Sequence, residues 1–95
     1  MEFWEELVLS QANKELTKNA YDEIYKLVQY HASRRFDDPI HQKAVILETM
    51  TDIIENERWM KYNPKFMPKP YLSQIILCYF AKYRMNIYRQ RQANK

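Results

Sequence analysis

Residues 20–36 have the sequence AYDEIYKLVQYHASRRF, and this stretch decides the fold class of the chain. Its apolar side chains recur at three- and four-residue intervals, which is the spacing of one face of an α-helix. The residues on this face are Tyr21, Ile24, Tyr25, Leu27 and Val28. Asn19 precedes the stretch and belongs to the residue types that cap helix N-termini well. We therefore predict an amphipathic helix over residues 20–36.

The next helix is predicted over residues 39–60. Asp37 and Asp38 supply a capping carboxylate, and Pro39 is suited to the first turn of a helix because its missing N–H would have no partner there. Apolar residues again follow at helical intervals through this stretch. The inward face is predicted to contain Ile40, Ala44, Leu47, Thr51 and Ile54.

A proline-rich segment separates this helix from the last one. Residues 61–70 contain Pro64, Pro68 and Pro70, so we expect a stiff, basic loop that no helix crosses. Residues 71–92, YLSQIILCYFAKYRMNIYRQRQ, then return to helical spacing. The apolar stripe of this helix is predicted to contain Leu72, Ile75, Ile76, Tyr79, Tyr83 and Ile87.

Composition supports an all-helical fold. The 95 residues include 46% hydrophobic side chains and no glycine, which removes the usual residue of hairpin turns and phosphate-binding loops. With a short N-terminal helix over residues 3–16, the chain is expected to form a single domain, residues 1–95, as a compact all-α bundle of about four helices. Cys78 is the one cysteine, and no apolar run approaches the roughly 20 residues of a membrane span. We expect a soluble protein of the reducing cytoplasm with no membrane partner.

Charge is distributed unevenly along the chain. All twelve Asp and Glu residues lie at or before Glu57, whereas nine of the fifteen Lys and Arg residues follow it. Lys95 is the last of these nine. Residues 1–57 therefore carry a net charge of about −6 and residues 58–95 a net charge of about +9, although the net charge of the whole chain is only +3. This split predicts a basic surface for a polyanion and an acidic surface for a different partner.

From Ala20 onward, the order of features resembles region 2 of bacterial sigma factors, especially the extracytoplasmic-function type and the late sigma factors of large tailed phages. Residues 45–50, VILETM, resemble the family's L-V-Q-E-T-F segment on the helix that docks on RNA polymerase. Residues 62–64, YNP, resemble its F-D-P element. Residues 70–75, PYLSQI, resemble its x-W-L-x-x-I element, at the family's spacing from F-D-P.

The resemblance implies that the third helix binds the clamp coiled coil of the largest subunit of core RNA polymerase. Glu48, Asp52 and Glu55 lie at i, i+4 and i+7 and form an acidic stripe, which would otherwise be a solvated helix face. The expected polymerase-binding residues are Leu47, Glu48, Met50, Thr51, Asp52 and Glu55. This sequence departs from the family at Leu47, where a polymerase-binding glutamine is usual, and at Lys82, near a usual aspartate.

The resemblance also implies that the proline loop and the last helix engage the non-template strand of the −10 promoter element. On the helix, one flank of the apolar stripe carries Lys82 and Arg89, seven residues apart, and the other carries Arg84 and Arg91. These side chains either bind phosphates or complement the helix dipole. The expected DNA-binding residues are Lys65, Lys69, Tyr79, Phe80, Lys82, Tyr83, Arg84, Arg89 and Arg91. The three aromatic residues among them either belong to the core or stack on unpaired bases. Tyr71, by contrast, is expected to anchor the loop to the core.

The N-terminal helix lies outside the resemblance, and so does any segment that would read the −35 element. We expect either a second, sigma-like polypeptide to supply that element or the chain to be a fragment. Phe3 and Trp4 are candidates to contact such a partner, unless the helix only caps the core. Trp59 is expected in the core.

Neither catalysis nor a bound cofactor is expected. No Ser, Cys or carboxylate set has a recognisable catalytic pattern, and His31 and His41 have no acidic or cysteine partner at metal-ligand spacing. The sequence therefore predicts a sigma-like transcription initiation subunit. The alternatives are a small helical interaction protein that binds host machinery without reading promoters, and a nonspecific nucleic-acid-binding protein.

Overall fold

A computed structural model describes residues 1–93 of the chain and confirms the all-α class. Four α-helices and one 3-10 turn follow one another within this range, and Lys95 lies outside it. The elements are α1 (Phe3–Asn13), α2 (Lys18–Arg35), α3 (Pro39–Glu55), the 3-10 turn η1 (Arg58–Lys61) and α4 (Pro68–Ala93). None of these helices combines the length and the apolar character that a bilayer crossing requires.

Helix α2 is the centre of the bundle, because α1, α3 and α4 all pack against it. Its buried stripe consists of Ala20, Ile24, Val28 and Ala32, which are four residues apart and lose all contact with solvent. The predicted stripe was therefore right for Ile24 and Val28. Tyr21, by contrast, is an exposed residue at the rim of the bundle.

Side-chain caps fix where α2 and α3 begin. The Thr17 side chain, not that of Asn19, caps α2 by accepting a hydrogen bond from the Ala20 N–H at 3.1 Å. Asp38 caps α3 as predicted, accepting from the Ile40 N–H at 2.9 Å. Helix α3 ends at Glu55, earlier than the predicted residue 60, because the chain reverses there into the 3-10 turn.

Two chain reversals use left-handed backbone conformations without glycine. Lys14 ends α1 with φ of 55°, and Glu57 precedes η1 with φ of 48°. Such conformations carry a steric cost for residues with a Cβ atom. The reversal at Glu57 is also the point where the acidic part of the sequence gives way to the basic part.

The proline loop is shorter than predicted, because α4 already begins at Pro68. Proline is tolerated within the first helical turn, so Pro68 and Pro70 belong to the helix and not to the loop. Tyr71 anchors this region as expected: its hydroxyl donates to the Arg58 carbonyl at 3.0 Å. Helix α4 has 26 residues and a length of about 39 Å, and the molecule measures 50 × 21 × 21 Å.

The predicted inward face of α3 is wrong. The residues that enter the core are Val45, Thr49, Met50 and Ile53. The predicted residues Ile40 and Leu47 are among the most exposed hydrophobic side chains of the described chain. Helix α3 carries two apolar stripes, and the stripe with Val45 and Ile53 faces α2 and α4, where it has neighbours on both sides.

Helix α1 is fastened to the 3-10 turn by one amide. The Gln11 Nε2 donates to the carbonyl oxygens of Trp59 (3.1 Å), Met60 (3.1 Å) and Tyr62 (2.7 Å). Trp59 itself is buried in the core, as predicted. The Trp59 carbonyl also accepts from the Tyr62 N–H at 3.3 Å, and the Gln11 amide adds a donor at the end of η1, where helical N–H donors run out.

Replacement of Gln11 by alanine is expected to lower the free energy of unfolding by about 2 kcal/mol, because it leaves partly buried carbonyl groups without donors. Urea denaturation monitored by circular dichroism measures the change. Gln29→Ala, on the exposed face of α2, is the matched control and should change the stability by less than about 0.5 kcal/mol. Equal losses in the two variants would contradict a specific role of the Gln11 amide.

His31 joins α2 to α4. Its Nε2 lies 2.9 Å from the Ser73 hydroxyl oxygen, and its Nδ1 lies 3.3 Å from the Arg35 guanidinium. Burial, and then the positive charges of Arg35 and Arg34, lower the pKa of His31 below its ordinary value of 6.5. The folded chain therefore holds this imidazole neutral at pH values where the unfolded chain protonates it.

Because the unfolded state takes up this proton first, the free energy of unfolding should fall as the pH drops below about 6.5. His31→Gln removes the titrating group and should flatten the stability profile across this window. Denaturant unfolding at a series of pH values measures the difference between the two proteins. Identical slopes would show that His31 does not contribute to the pH dependence.

Candidate docking and nucleic-acid surfaces

The exposed face of α3 carries an apolar stripe, here called the outer α3 stripe, formed by Ile40, Ala44, Leu47, Thr51 and Ile54. Leu47, at its centre, is 69% exposed. The Thr51 hydroxyl donates to the Leu47 carbonyl at 2.8 Å, which leaves its methyl group on the surface of the stripe. An apolar row of this kind on a solvent-facing helix is a candidate interaction surface.

The predicted acidic stripe is divided by the fold. Glu48 and Glu55 are exposed beside the outer α3 stripe. Asp52 pairs instead with Arg58, at 3.2 Å between Oδ2 and Nε, and also accepts from the Asn56 amide at 2.7 Å. Its side chain is only 14% exposed, so the expectation that Asp52 binds a partner directly needs correction. It secures the reversal after α3.

Met50 also needs correction as a polymerase-binding residue. It is 4% exposed and belongs to the core, where it lies at the edge of the buried face that carries Val45 and Ile53. Of the six residues predicted for this surface, four are accessible to a partner: Leu47, Glu48, Thr51 and Glu55. The arrangement can offer apolar contact flanked on one side by two carboxylates.

The aromatic residues expected to stack on bases are turned toward the bundle. Phe80 is 2% exposed and meets Phe36 edge to face, with ring centroids 5.5 Å apart, so it is a core residue. The Tyr83 hydroxyl lies 2.9 Å from the His41 Nδ1, and its ring also packs on Phe36. These contacts hold both rings in place, and the base-stacking expectation fails for Phe80 in this fold.

Tyr79 lies in the seam between α3 and α4. Burial, and then the charges of Glu48 and Asp52, raise the pKa of its hydroxyl above 10.0. Burial, followed by Glu48 and Asp38, has the same effect on the pKa of Tyr83. Both hydroxyls therefore stay protonated near neutral pH and can donate hydrogen bonds.

The arginine and lysine residues of α4 have different roles. The Arg84 Nη2 donates to the Arg35 carbonyl at 2.6 Å, and its guanidinium lies 4.8 Å from the centroid of the Phe36 ring. It therefore closes the C-terminal end of α2 with part of its guanidinium, although the side chain as a whole is exposed. Lys82, Arg89 and Arg91 are exposed and have no ion-pair partner within residues 1–93.

An outward face on the second half of α4 was missed from the sequence. Met85 and Tyr88 are exposed there, and Lys82 and Arg89 flank them; these four residues are called the α4 outer row. On a helical wheel these residues lie on the side of α4 opposite the buried Leu72 and Ile76, so this face could have been identified from the sequence. Lys82 also borders a cleft of about 270 Å³ whose lining includes Asp52, Arg58 and Tyr79. The row therefore adjoins the seam with α3.

Lys65 and Lys69 do not join this row. Lys69 lies beside α2, where it lines a shallow hollow with Leu27 and Tyr30, whereas Lys82 lies on the α3 side of the same helix. The nine residues predicted for DNA binding thus fall into three groups: cations along α4, a separate pair formed by Lys65 in the loop and Lys69 in the first turn of α4, and side chains that pack against the bundle. The α4 outer row, with Lys82, Arg89 and the exposed Tyr88 ring, offers positive charge and an aromatic surface, which suits a nucleic-acid backbone and its bases.

Searches against protein-family models, curated proteins and solved structures find no significant match to this chain.

The division among the cations of α4 predicts different outcomes for two variants. Lys82→Ala should weaken binding to a labelled oligothymidylate and make the plot of log affinity against log salt shallower by about 0.7, because one phosphate contact is lost. Arg84→Ala should leave that slope unchanged and lower the free energy of unfolding by about 1 kcal/mol. Fluorescence anisotropy over a range of salt concentrations, with urea denaturation, measures both effects. The reverse pattern would contradict these assignments.

Proposed function

We propose that this chain is a sigma-like transcription initiation subunit that binds core RNA polymerase through α3. The observation that carries the proposal is the outer α3 stripe, whose central Leu47 is exposed and flanked by Glu48 and Glu55. The same segment supplies the VILETM motif that resembles the polymerase-docking segment of sigma region 2. Apolar contact would supply affinity, and the carboxylates would orient a basic partner helix.

The α4 outer row is proposed to contact the promoter. Lys82 and Arg89 would bind phosphates, and Tyr88 would supply the exposed ring against which an unpaired base could stack. The row borders the α3–α4 seam, so the DNA strand would run close to the polymerase-bound face.

The inward packing of Phe80 and Tyr83 favours a second candidate function. With these rings held against Phe36 and His41, fewer aromatic side chains remain to capture a flipped base. A helical interaction protein that binds polymerase without reading the promoter would need only the outer α3 stripe. The two functions differ in whether the chain supports formation of an open promoter complex.

Polymerase binding can be tested with purified bacterial core enzyme immobilised for biolayer interferometry at low salt. Leu47→Arg should weaken binding at least tenfold, because it places a charge at the centre of an apolar contact and faces a basic partner. Glu48→Arg with Glu55→Arg should also slow association, as expected for charges that steer encounter. Leu9→Arg, at an exposed leucine of α1, is the matched control and should bind as the unmodified chain does.

Absence of binding by the unmodified chain would refute the proposal, and so would equal losses in Leu47→Arg and Leu9→Arg. Open-complex formation on a promoter fragment, measured by permanganate reactivity of unpaired thymines, separates the two functions. A chain that binds core enzyme but never supports strand opening, with or without a second sigma-like polypeptide, is the interaction protein.

A further inference from the structure

A groove of about 640 Å³ lies between the N-terminal turn of α1 and the proline loop. Its apolar lining comes from Phe3 and Trp4 on one side and from Phe66 and Met67 on the other, together with Pro64 and Pro68. Phe66 is 63% exposed and Met67 is 73% exposed, although both are large apolar side chains. The volume is typical of sites that hold several side chains of a ligand.

The loop side of the groove is held in one conformation by its own hydrogen bonds. The Tyr62 hydroxyl donates to the Phe66 carbonyl at 2.6 Å, and the Lys65 N–H donates to the Asn63 Oδ1 at 2.9 Å. Tyr62 is itself buried in the core. The exposed Phe66 and Met67 side chains are therefore displayed from an ordered turn, which lowers the entropic cost of binding.

The two walls of the groove carry opposite charges. Lys65 of the proline loop and Lys69 in the first turn of α4 line the wall opposite α1, and neither has an ion-pair partner within residues 1–93. Glu2 lines the α1 wall, where its Oε2 accepts a hydrogen bond from the Trp4 indole N–H at 2.8 Å. A ligand that fits this pattern has apolar side chains for the floor and negative charge for the two lysines.

The same pattern favours a polypeptide over a nucleic acid. The carboxylate of Glu2 would oppose a phosphate chain that filled the groove, whereas a peptide can place a basic or neutral residue there. Most of the lining is apolar, and Met67 and the two prolines present the aliphatic surface that accepts apolar side chains of a peptide.

We propose that this groove binds an acidic, amphipathic peptide segment of a partner protein, with its apolar side chains between Trp4 and Phe66 and its carboxylates on Lys65 and Lys69. The surface is separate from the outer α3 stripe, so the chain would hold two protein partners at once. This inference does not depend on polymerase binding and can fail or succeed independently of it.

The proposal can be tested by phage display. A random dodecapeptide library is selected against the immobilised full chain. Enriched peptides should combine Leu, Phe or Trp with Asp or Glu. The chain has two tryptophans, so the indole N–H signals in a nitrogen–proton correlation spectrum provide a built-in reporter. A synthetic enriched peptide should shift the signal of Trp4, which lines the groove, and leave that of the buried Trp59 unchanged.

Matched variants locate the contact. Phe66→Ser should weaken the peptide at least tenfold, whereas Tyr88→Ser, at an equally exposed aromatic residue of α4, should not. Lys65→Glu combined with Lys69→Glu should have the same effect as Phe66→Ser, whereas Lys61→Glu, outside the groove, should have none. These changes alter exposed side chains, and circular dichroism checks that each variant remains helical.

Four outcomes would overturn the proposal. The first is no enrichment of any peptide, and the second is enrichment of peptides without acidic residues. The third is a shift of the Trp4 signal by an oligothymidylate, which would make the groove a nucleic-acid site. The fourth is self-association of the chain, measured by light scattering, that Phe66→Ser abolishes, because a second copy would then occupy the groove.

Discussion

The burial of one stripe on α2 is the constraint on which the rest of the structure depends. Ala20, Ile24, Val28 and Ala32 are completely enclosed, and α1, α3 and α4 each pack against the helix that carries them. The alanines at the two ends of the stripe present only methyl groups, so neighbouring helices can approach closely. Once these helices are fixed, the outward directions of α3 and α4 are fixed as well.

The spacing of apolar residues was sufficient to predict the helices of this fold, but it did not predict which face of α3 is buried. The period identified α2 and its buried Ile24 and Val28, although it also placed the exposed Tyr21 on the same face. Helix α3 offers one stripe through Leu47 and another through Ile53, and both satisfy a helical period. Only the positions of α2 and α4 decide between them, and those positions arise from contacts between residues distant in sequence.

For the candidate surfaces too, the sequence predicted only part of what the fold shows. Exposed charges such as Glu48 and Lys82 were identified from the sequence, whereas Asp52 and Arg84 were assigned to partners although the fold uses them internally. Asp52 holds the reversal after α3, and Arg84 closes the end of α2. Near a chain reversal or a helix end, such charged residues form hydrogen bonds and ion pairs within the fold. Composition alone does not reveal these contacts.

In the proposed function, the outer α3 stripe binds polymerase and the second half of α4 binds DNA, with the charge change at the Glu57 reversal between them. Photo-crosslinking from benzoylphenylalanine placed at position 47 is the most direct test of polymerase binding by α3. We expect a crosslink to the largest subunit of core RNA polymerase from position 47 and none from position 9. Absence of a crosslink from position 47, or equal crosslinking from both positions, would contradict the proposed polymerase binding.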